Sequence, residues 1–156
     1  KFIHMKNMTL SIALTLFALS IYAQTEQNES RYKDDNEIFK VVEEMPRFPG
    51  CEEKGLTKEA LKQCSNDELA MFIGKNLKYP SEAREKSVQG KAIVQFVVNK
   101  QGKLEDLKIL RDPGSGCGDA AIEVINKIKD EITWIPGKQR GQKVKVQFTL
   151  PITFKL

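Results

Sequence analysis

The sequence has 156 residues, of which 40% are hydrophobic and 29% are charged, and its formal net charge is +4. This length suits one small globular domain with flanking segments and excludes a large enzyme core. A charge of this size is too weak to indicate a nucleic-acid partner.

An apolar run of 15 residues extends from Thr9 to Ala23, shortly after Met5 and Lys6, which look like a translation start. As a helix, this run would span about 22 Å, which is short of a hydrocarbon core of about 30 Å. We therefore interpret residues 1–23 as a cleaved signal peptide, with a short uncleaved anchor as the alternative. The rest of the chain is expected to be exported.

Cleavage after Ala23 would remove Lys1 and Lys6 from the 25 basic residues, leaving 23 against 21 acidic residues and a net charge of +2. It would also remove His4, the only histidine. Without a histidine, neither a Ser-His-Asp nor a Cys-His relay can form, and three cysteines alone make a poor zinc site. We therefore predict no enzymatic activity, no metal and no cofactor.

The cysteines indicate a disulfide. An exported chain reaches an oxidising compartment, and Cys51 and Cys64 bracket a short loop. We predict a bridge between them, which the chain-entropy treatment values at about 3 kcal/mol for a loop of this size. Two unpaired small hydrophobic residues are the alternative. Cys117 is then left over, either buried and inert or reactive, and its pairing with Cys51 or Cys64 stays open.

The chain before the domain is predicted to lack regular structure. Residues 24–37 are polar and charged without an apolar period, which predicts a disordered tether, and the tether is assigned to residues 24–45. Residues 46–65 follow as an extended segment, because Pro46 and Pro49 disfavour a helix. The domain itself is predicted over residues 66–156.

Two helices open the domain. Asn66 is a good N-cap, and the charges of the first and last turns match the helix dipole. "YP" then ends this helix, and "PSEAREKS" restarts as a short helix with Pro80 near its first position. The apolar stripe of the first helix consists of Leu69, Phe72, Ile73 and Leu77.

A hairpin, a helix and a closing strand follow. The hairpin consists of an apolar strand at Ala92–Val98, a turn at Gly102 and a second strand at Leu104–Arg111. The first strand is apolar on both faces, so it is predicted to be central, and Asp119 caps the next amphipathic helix. This order predicts an α+β fold in which helices pack on one face of a three-stranded antiparallel sheet. The residues predicted to meet between sheet and helix are Val94, Phe96, Val124, Ile125 and Ile128.

The closing strand is predicted to lie at an edge of the sheet. Apolar residues alternate with polar ones from Val144 to Leu150, which is the period of a half-buried strand. The strand then continues through Pro151, which has no N–H for a ladder and is tolerated mainly at an edge.

Three further features have two interpretations each. The loop "GSGCGD" precedes a helix but lacks the context of a phosphate cradle, so a plain turn and helix cap is favoured. Trp134 follows an amphipathic helix, which favours a lid on the core over a binding aromatic. A basic cluster either discourages edge-to-edge aggregation or attracts an acidic partner. Its members are Lys138, Arg140, Lys143 and Lys145.

A set of short motifs occurs in a specific order over the C-terminal half of the chain. They are "YPSEARE", the run Gly90, Val94, Phe96, Val98 and Gly102, the pair Ala120-Ala121, "WIPG", Gly141, and Pro151-Ile152-x-Phe154. Together, from about Asn76 to Leu156, they resemble the C-terminal domain of TonB, the periplasmic energy-transducing protein of Gram-negative bacteria. The chain departs from TonB in its short apolar segment without an internal histidine and in its lack of a proline-rich spacer.

The resemblance implies a periplasmic adaptor that contributes to energy-dependent transmembrane transport. Such a domain binds outer-membrane receptors by pairing its last strand with a short extended segment, the TonB box. The implied partners are a TonB-dependent outer-membrane receptor and, for an anchored chain, ExbB and ExbD. The alternative is a secreted envelope interaction or structural domain of the same fold without energy transduction. The residues expected to bind the partner are Lys143, Val144, Lys145, Val146, Gln147, Phe148, Thr149 and Leu150.

Overall fold

A mixed sheet with strand order β1–β6–β2–β3 carries the fold. The computed structural model describes residues 37–156, so the predicted signal peptide and residues 24–36 of the predicted tether lie outside the described residues. The strands are Ile38–Phe39 (β1), Gly90–Val98 (β2), Leu104–Arg111 (β3) and Lys145–Phe154 (β6). β2 pairs antiparallel with both β3 and β6, which confirms the predicted antiparallel sheet and its central strand.

The fourth strand, β1, differs from the prediction of a three-stranded sheet. It pairs in parallel with the start of β6, with Ile38 opposite Lys145 and Phe39 opposite Val146. These residues belong to the stretch predicted as a disordered tether. The difference has a local cause. Phe39 packs against a small buried cluster beside β6, which consists of Val42, Val144 and Val146.

Three helices lie between the strands. They are α1 (Lys58–Asn76), α2 (Ser81–Glu85) and α3 (Cys117–Glu131), and a short 3-10 turn at Glu52–Lys54 precedes them. Within residues 37–156, no helix is both long and apolar enough to cross a membrane.

The first helix begins at Lys58, not at Asn66 as predicted. The Thr57 hydroxyl caps it by accepting a hydrogen bond from the backbone N–H of Ala60 at 3.3 Å. The helix extends upstream because the prolines end at Pro49 and the residues after Thr57 are good helix formers. The later helix α3 likewise begins earlier than predicted, after Gly116, which places Asp119 in its first turn.

The core lies between the helices and one face of the sheet, as predicted. Val94 and Phe96 of β2 are fully buried and belong to one cluster with the buried residues of α3. Leu69 of α1 is buried in the same cluster, and the other three residues of its predicted stripe pack against it. The α3 residues in this cluster are Cys117, Ala120, Ala121, Val124, Ile125 and Ile128.

A small hairpin joins α3 to the closing strand. Its strands are Lys138–Gln139 (β4) and Gln142–Lys143 (β5), and they form a separate two-stranded sheet. Trp134 precedes this hairpin and is buried in the core, where its ring makes edge contacts with Phe96 at 5.5 Å and Phe148 at 5.3 Å between centroids. The favoured interpretation of Trp134 as a core residue is therefore confirmed.

Candidate functional site

The outer edge of β6 is the candidate docking surface. β2 pairs with the inner edge of β6 from Val146 to Phe154 in a continuous register. On the outer edge, β1 pairs only with Lys145 and Val146. Within the described residues, no strand pairs with the outer edge from Gln147 to Phe154. The sheet therefore presents an open edge next to a short intrachain strand.

Pro151 indicates which backbone groups of β6 face outward. A proline has no N–H and is excluded from positions that must donate to a neighbouring strand, so its nitrogen faces the unpaired edge. Successive N–H groups in a strand alternate in direction, and the pairing of β6 with β2 has no register shift. The N–H groups of Gln147 and Thr149 therefore point the same way as the Pro151 nitrogen, toward the open edge.

The eight residues predicted to bind a partner separate into two groups. Lys143 lies in β5, and Val144 is buried between β5 and β6. Lys145 and Val146 already pair with β1. Only residues 147–150 of the predicted stretch lie on the open part of the edge, which continues beyond them to Phe154.

The two faces of the open edge differ in character. Leu150 is buried toward the helices, and the half-buried Phe148 ring stacks on Phe96 at 5.6 Å between centroids. Thr149 on the opposite face is exposed, and Gln147 is half-buried there. The open edge therefore presents main-chain groups and, on one side, the apolar face beside Phe148.

Residues 40–50, which we call the strap, connect β1 to the first cysteine. Glu44 exchanges backbone hydrogen bonds with Lys138 at 3.1 and 2.8 Å, and Arg47 does so with Ile135 at 3.0 and 2.9 Å. Val42 packs with Val144 and Val146 in the small core that also contacts Phe39. The strap is thus held by main-chain hydrogen bonds to residues 135 and 138 and by apolar packing against Val144 and Val146.

The disulfide fixes the other end of the strap. Cys51 and Cys64 form the predicted bridge, which ties the strap to α1. Next to it, the Glu52 carboxylate accepts hydrogen bonds from the N–H groups of Gly50 at 2.9 Å and Cys51 at 3.1 Å. Burial acts to raise the pKa of Glu52, but these N–H groups and the Arg47 guanidinium outweigh it and lower the pKa.

The bridged sulfurs are also close to the carboxylate of Glu68. Zinc binds cysteine as the thiolate, and both Cys51 and Cys64 are in the disulfide, so neither offers one. This cluster is therefore not a metal site in the oxidised chain.

The basic cluster is partly neutralised. Lys138 Nζ lies 3.4 Å from Glu44 Oε2, and Lys145 Nζ lies 4.0 Å from Glu105 Oε2. Arg140 and Lys143 make no ion pair within the described residues. Exposed ion pairs of this kind are worth at most about 1 kcal/mol, so the cluster keeps a modest positive field next to β6.

The glycine-rich loop before α3 serves the fold. The Asp112 carboxylate accepts hydrogen bonds from the N–H groups of Gly114 at 2.8 Å and Gly118 at 2.9 Å. A carboxylate of the chain therefore occupies the place where a phosphate would have to bind, which supports the plain turn. Cys117, the first residue of α3, is buried and free, and burial together with the nearby Asp112 raises the pKa of its thiol.

A small α+β module with a mostly antiparallel sheet, in which the outer edges of β3 and of most of β6 are unpaired within the described residues, is the class that this fold defines. The chain belongs to the TonB C-terminal family, because the family model described as "Gram-negative bacterial TonB protein C-terminal" matches residues 75–156, more than half of the chain. The resemblance noted from the motifs is confirmed. A comparison with curated proteins finds no match.

Two solved structures are similar to this chain. Both are NMR solution structures of the Helicobacter pylori TonB C-terminal domain, and both share 21% sequence identity with the chain. The alignment with the longer structure, residues 179–285, covers 65% of this chain and 85% of that structure's chain, with a TM-score of 0.47. The alignment with the shorter structure, residues 194–285, covers 58% of this chain and 91% of that structure's chain, with a TM-score of 0.45.

Sequence reasoning did not predict that β1 pairs with Lys145 and Val146, the first two residues of β6. The signal was the short apolar group Ile38, Phe39, Val41 and Val42 within an otherwise polar stretch. Two paired residues are too few to produce a recognisable strand period, and the partner strand lies more than 100 residues away along the chain.

Proposed function

We propose that the chain is a periplasmic TonB-like adaptor that binds an outer-membrane receptor by strand addition and contributes to energy-dependent transmembrane transport. The observation that carries the proposal is the open outer edge of β6 from Gln147 onward in a member of the TonB C-terminal family. An extended segment of the receptor adds there as a further strand, and main-chain hydrogen bonds supply most of the affinity.

The register of the added strand follows from β1 and Pro151. β1 already covers Lys145 and Val146, so the added strand begins at Gln147 and lies end to end with β1. Gln147 and Thr149 offer outward N–H groups, whereas Pro151 offers only its carbonyl. The proposed footprint, Gln147 to Pro151, is therefore displaced toward the C-terminus relative to the stretch predicted from the sequence.

The side chains of the partner segment alternate between the two faces of the sheet. Those on the helix side meet the half-buried ring of Phe148 and favour apolar residues. Those on the other face lie beside Thr149 and are exposed to solvent. The nearby positive charge of Lys143 favours an acidic residue next to the bound segment and makes association depend on salt.

The deciding experiment removes one outward donor without disturbing the inner ladder. Gln147→Pro deletes an N–H that faces the open edge, so pairing with β2 is preserved. Gln147→Ala is the matched control, because it deletes the same side chain and keeps the N–H. A fluorescein-labelled TonB-box peptide is titrated into the full chain and each variant, and circular dichroism checks that each variant is folded.

We expect Gln147→Pro to weaken peptide binding at least about tenfold, whereas Gln147→Ala changes it by about twofold or less. Chemical-shift mapping should place the peptide along residues 147–151 and leave β1 in place. A folded Gln147→Pro variant that binds as tightly as the parent would reject this edge as the docking site. Lys143→Glu should weaken binding at low salt and have little effect at high salt.

A further inference from the structure

A groove between the strap and α1 reaches the sheet at a single residue. It encloses about 670 Å³ and is lined by residues 43–48 of the strap, by one side of residues 58–69 of α1, and by Trp134 and Phe148. Phe148 is the only lining residue that belongs to the four-stranded sheet. A volume of this size is in the range of sites that bury small molecules, so one large side chain fits inside it.

Part of the apolar wall of this groove is accessible to solvent. Met45 on the strap is 37% exposed. Leu61 on α1 and Phe148 on β6 are half-buried, whereas Phe48 and Leu69 are buried. An apolar side chain that enters the groove can therefore contact both walls and the edge of the sheet.

Phe148 has a neighbour on the inner side of β6 only. There it pairs with Phe96 of β2, and the two rings stack at 5.6 Å between centroids. On the outer side, no strand pairs with Phe148 within residues 37–156. Phe96 is fully buried and no residue of β2 lines the groove, so the groove reaches Phe148 from the side away from β2.

β1 shows how the chain itself fills the neighbouring outer position. Phe39 of β1 lies opposite Val146, which is two residues before Phe148 and on the same face of the sheet. The Phe39 side chain packs against the small buried cluster beside β6. A strand that is added end to end with β1 places its residue opposite Phe148 in the next position along this face, because facing side chains of paired strands stand on one face about 5 Å apart.

The disulfide ties the two long walls of the groove together. Cys51 follows the strap, and its partner Cys64 lies on α1 next to Ser65, which lines the groove. Backbone hydrogen bonds also hold the strap to residues 135 and 138. The walls are therefore fixed before a partner binds, and a preformed site loses less conformational entropy on binding.

We propose that the groove holds one large apolar side chain of the receptor segment, namely the residue that lies opposite Phe148 in the added strand. This inference rests on the proposed function, because it needs a strand on the outer edge of β6. The side chain packs between Met45 and Leu61 and against the Phe148 ring. Main-chain hydrogen bonds along β6 supply affinity for any extended segment, and this groove selects among segments by one side chain. Alanine at that position leaves the groove unfilled and loses the apolar burial.

The test uses two fluorescein-labelled seven-residue peptides. Both have glutamate at each end and threonine, which favours strands, at the inner flanking positions. The middle residue is phenylalanine in one peptide and alanine in the other, so only one peptide has a side chain large enough for the groove. We expect fluorescence anisotropy with the full chain to show at least about tenfold tighter binding of the phenylalanine peptide. Nuclear Overhauser contacts should join its middle ring to the Met45 methyl group and to the Phe148 ring.

Leu61→Ala removes part of the groove wall, and Met71→Ala is its matched control. Met71 also lies on α1, is 60% exposed and does not line the groove. We expect Leu61→Ala to weaken the phenylalanine peptide about fivefold and the alanine peptide less than about twofold, because the wall and the middle side chain are in contact. Met71→Ala should leave both affinities unchanged. Circular dichroism checks that each variant is folded.

The outcomes separate this inference from the proposed function. The inference is overturned if the phenylalanine peptide binds no better than the alanine peptide while the labelled TonB-box peptide occupies residues 147–151. It is also overturned if a folded Leu61→Ala variant weakens both seven-residue peptides alike. In both cases the proposed function stands. If none of the three peptides shifts the resonances of residues 147–151, the proposed function fails and this inference fails with it.

Discussion

The turn at Gly102 provides the sharpest test of the packing. Gly102 has φ of 79°, in the region that side chains rarely adopt, and its N–H donates to Asn99 O at 2.9 Å. Its own carbonyl accepts a hydrogen bond from the Trp134 N–H at 2.9 Å. A Cβ added at this position would overlap the Trp134 carbonyl oxygen, so Gly102→Ala must displace the backbone next to the core tryptophan.

The expected magnitude is the sum of three terms. The left-handed conformation costs a non-glycine residue about 1–2 kcal/mol. Weakening the bond between Trp134 and Gly102 costs about 1 kcal/mol. The forced displacement of a packed segment costs about 1–3 kcal/mol. We therefore expect Gly102→Ala to lower the free energy of unfolding by about 3–6 kcal/mol and the midpoint of thermal unfolding by more than about 10 °C.

Gly141 offers a matched control. Its φ is 74°, almost the same, but nothing lies within 4 Å of an added Cβ. Gly141→Ala should therefore cost only the conformational term, about 1–2 kcal/mol. Any effect of alanine on the unfolded chain is common to both variants and cancels in the comparison. Urea unfolding followed by circular dichroism measures both, and equal losses would refute the close approach of Gly102 to Trp134.

Three further predictions concern the core and the cysteines. Phe96 is fully buried among aromatic rings, so Phe96→Ala should lower the free energy of unfolding by about 3–5 kcal/mol, and an unchanged thermal midpoint would place it outside the core. Reduction of the Cys51–Cys64 bridge should destabilise the chain by about 3 kcal/mol, and non-reducing peptide mapping should show these two residues linked. Burial and the nearby Asp112 raise the pKa of Cys117, so its thiol should stay protonated at pH 8 and resist alkylation until the chain unfolds; rapid alkylation of the folded chain would contradict this.

The regular elements were predictable because their signals are local. The alternation around Phe96, the helical stripe beginning at Leu69 and the proline in the closing strand each fix one element and its buried face through short-range periodicity. The same reasoning identified the edge position of the closing strand, since the missing N–H of Pro151 is a property of that residue alone. The spacing of Cys51 and Cys64, together with the expected export of the chain, likewise indicated their bridge.

Helix starts were less predictable because several residues compete for them. Asn66 has the chemistry of a cap, yet Thr57 is the residue that caps α1. An asparagine within a helix costs only a fraction of a kcal/mol, so the favourable residues before it extend the helix past this signal. The same competition places Gly116, and not Asp119, before α3.

What the sequence by itself determined was the class of fold, the face of each element that is buried, and the presence of an edge strand at the C-terminus. Only the tertiary structure decided how much of that edge is open, because the covering strand β1 comes from a stretch more than 100 residues away and is held by just two residue pairs. It alone also showed that Arg47, Ser65 and Trp134 line the same groove between residues 43–48 and α1, since the meeting of three distant segments depends on packing geometry, which no local period encodes.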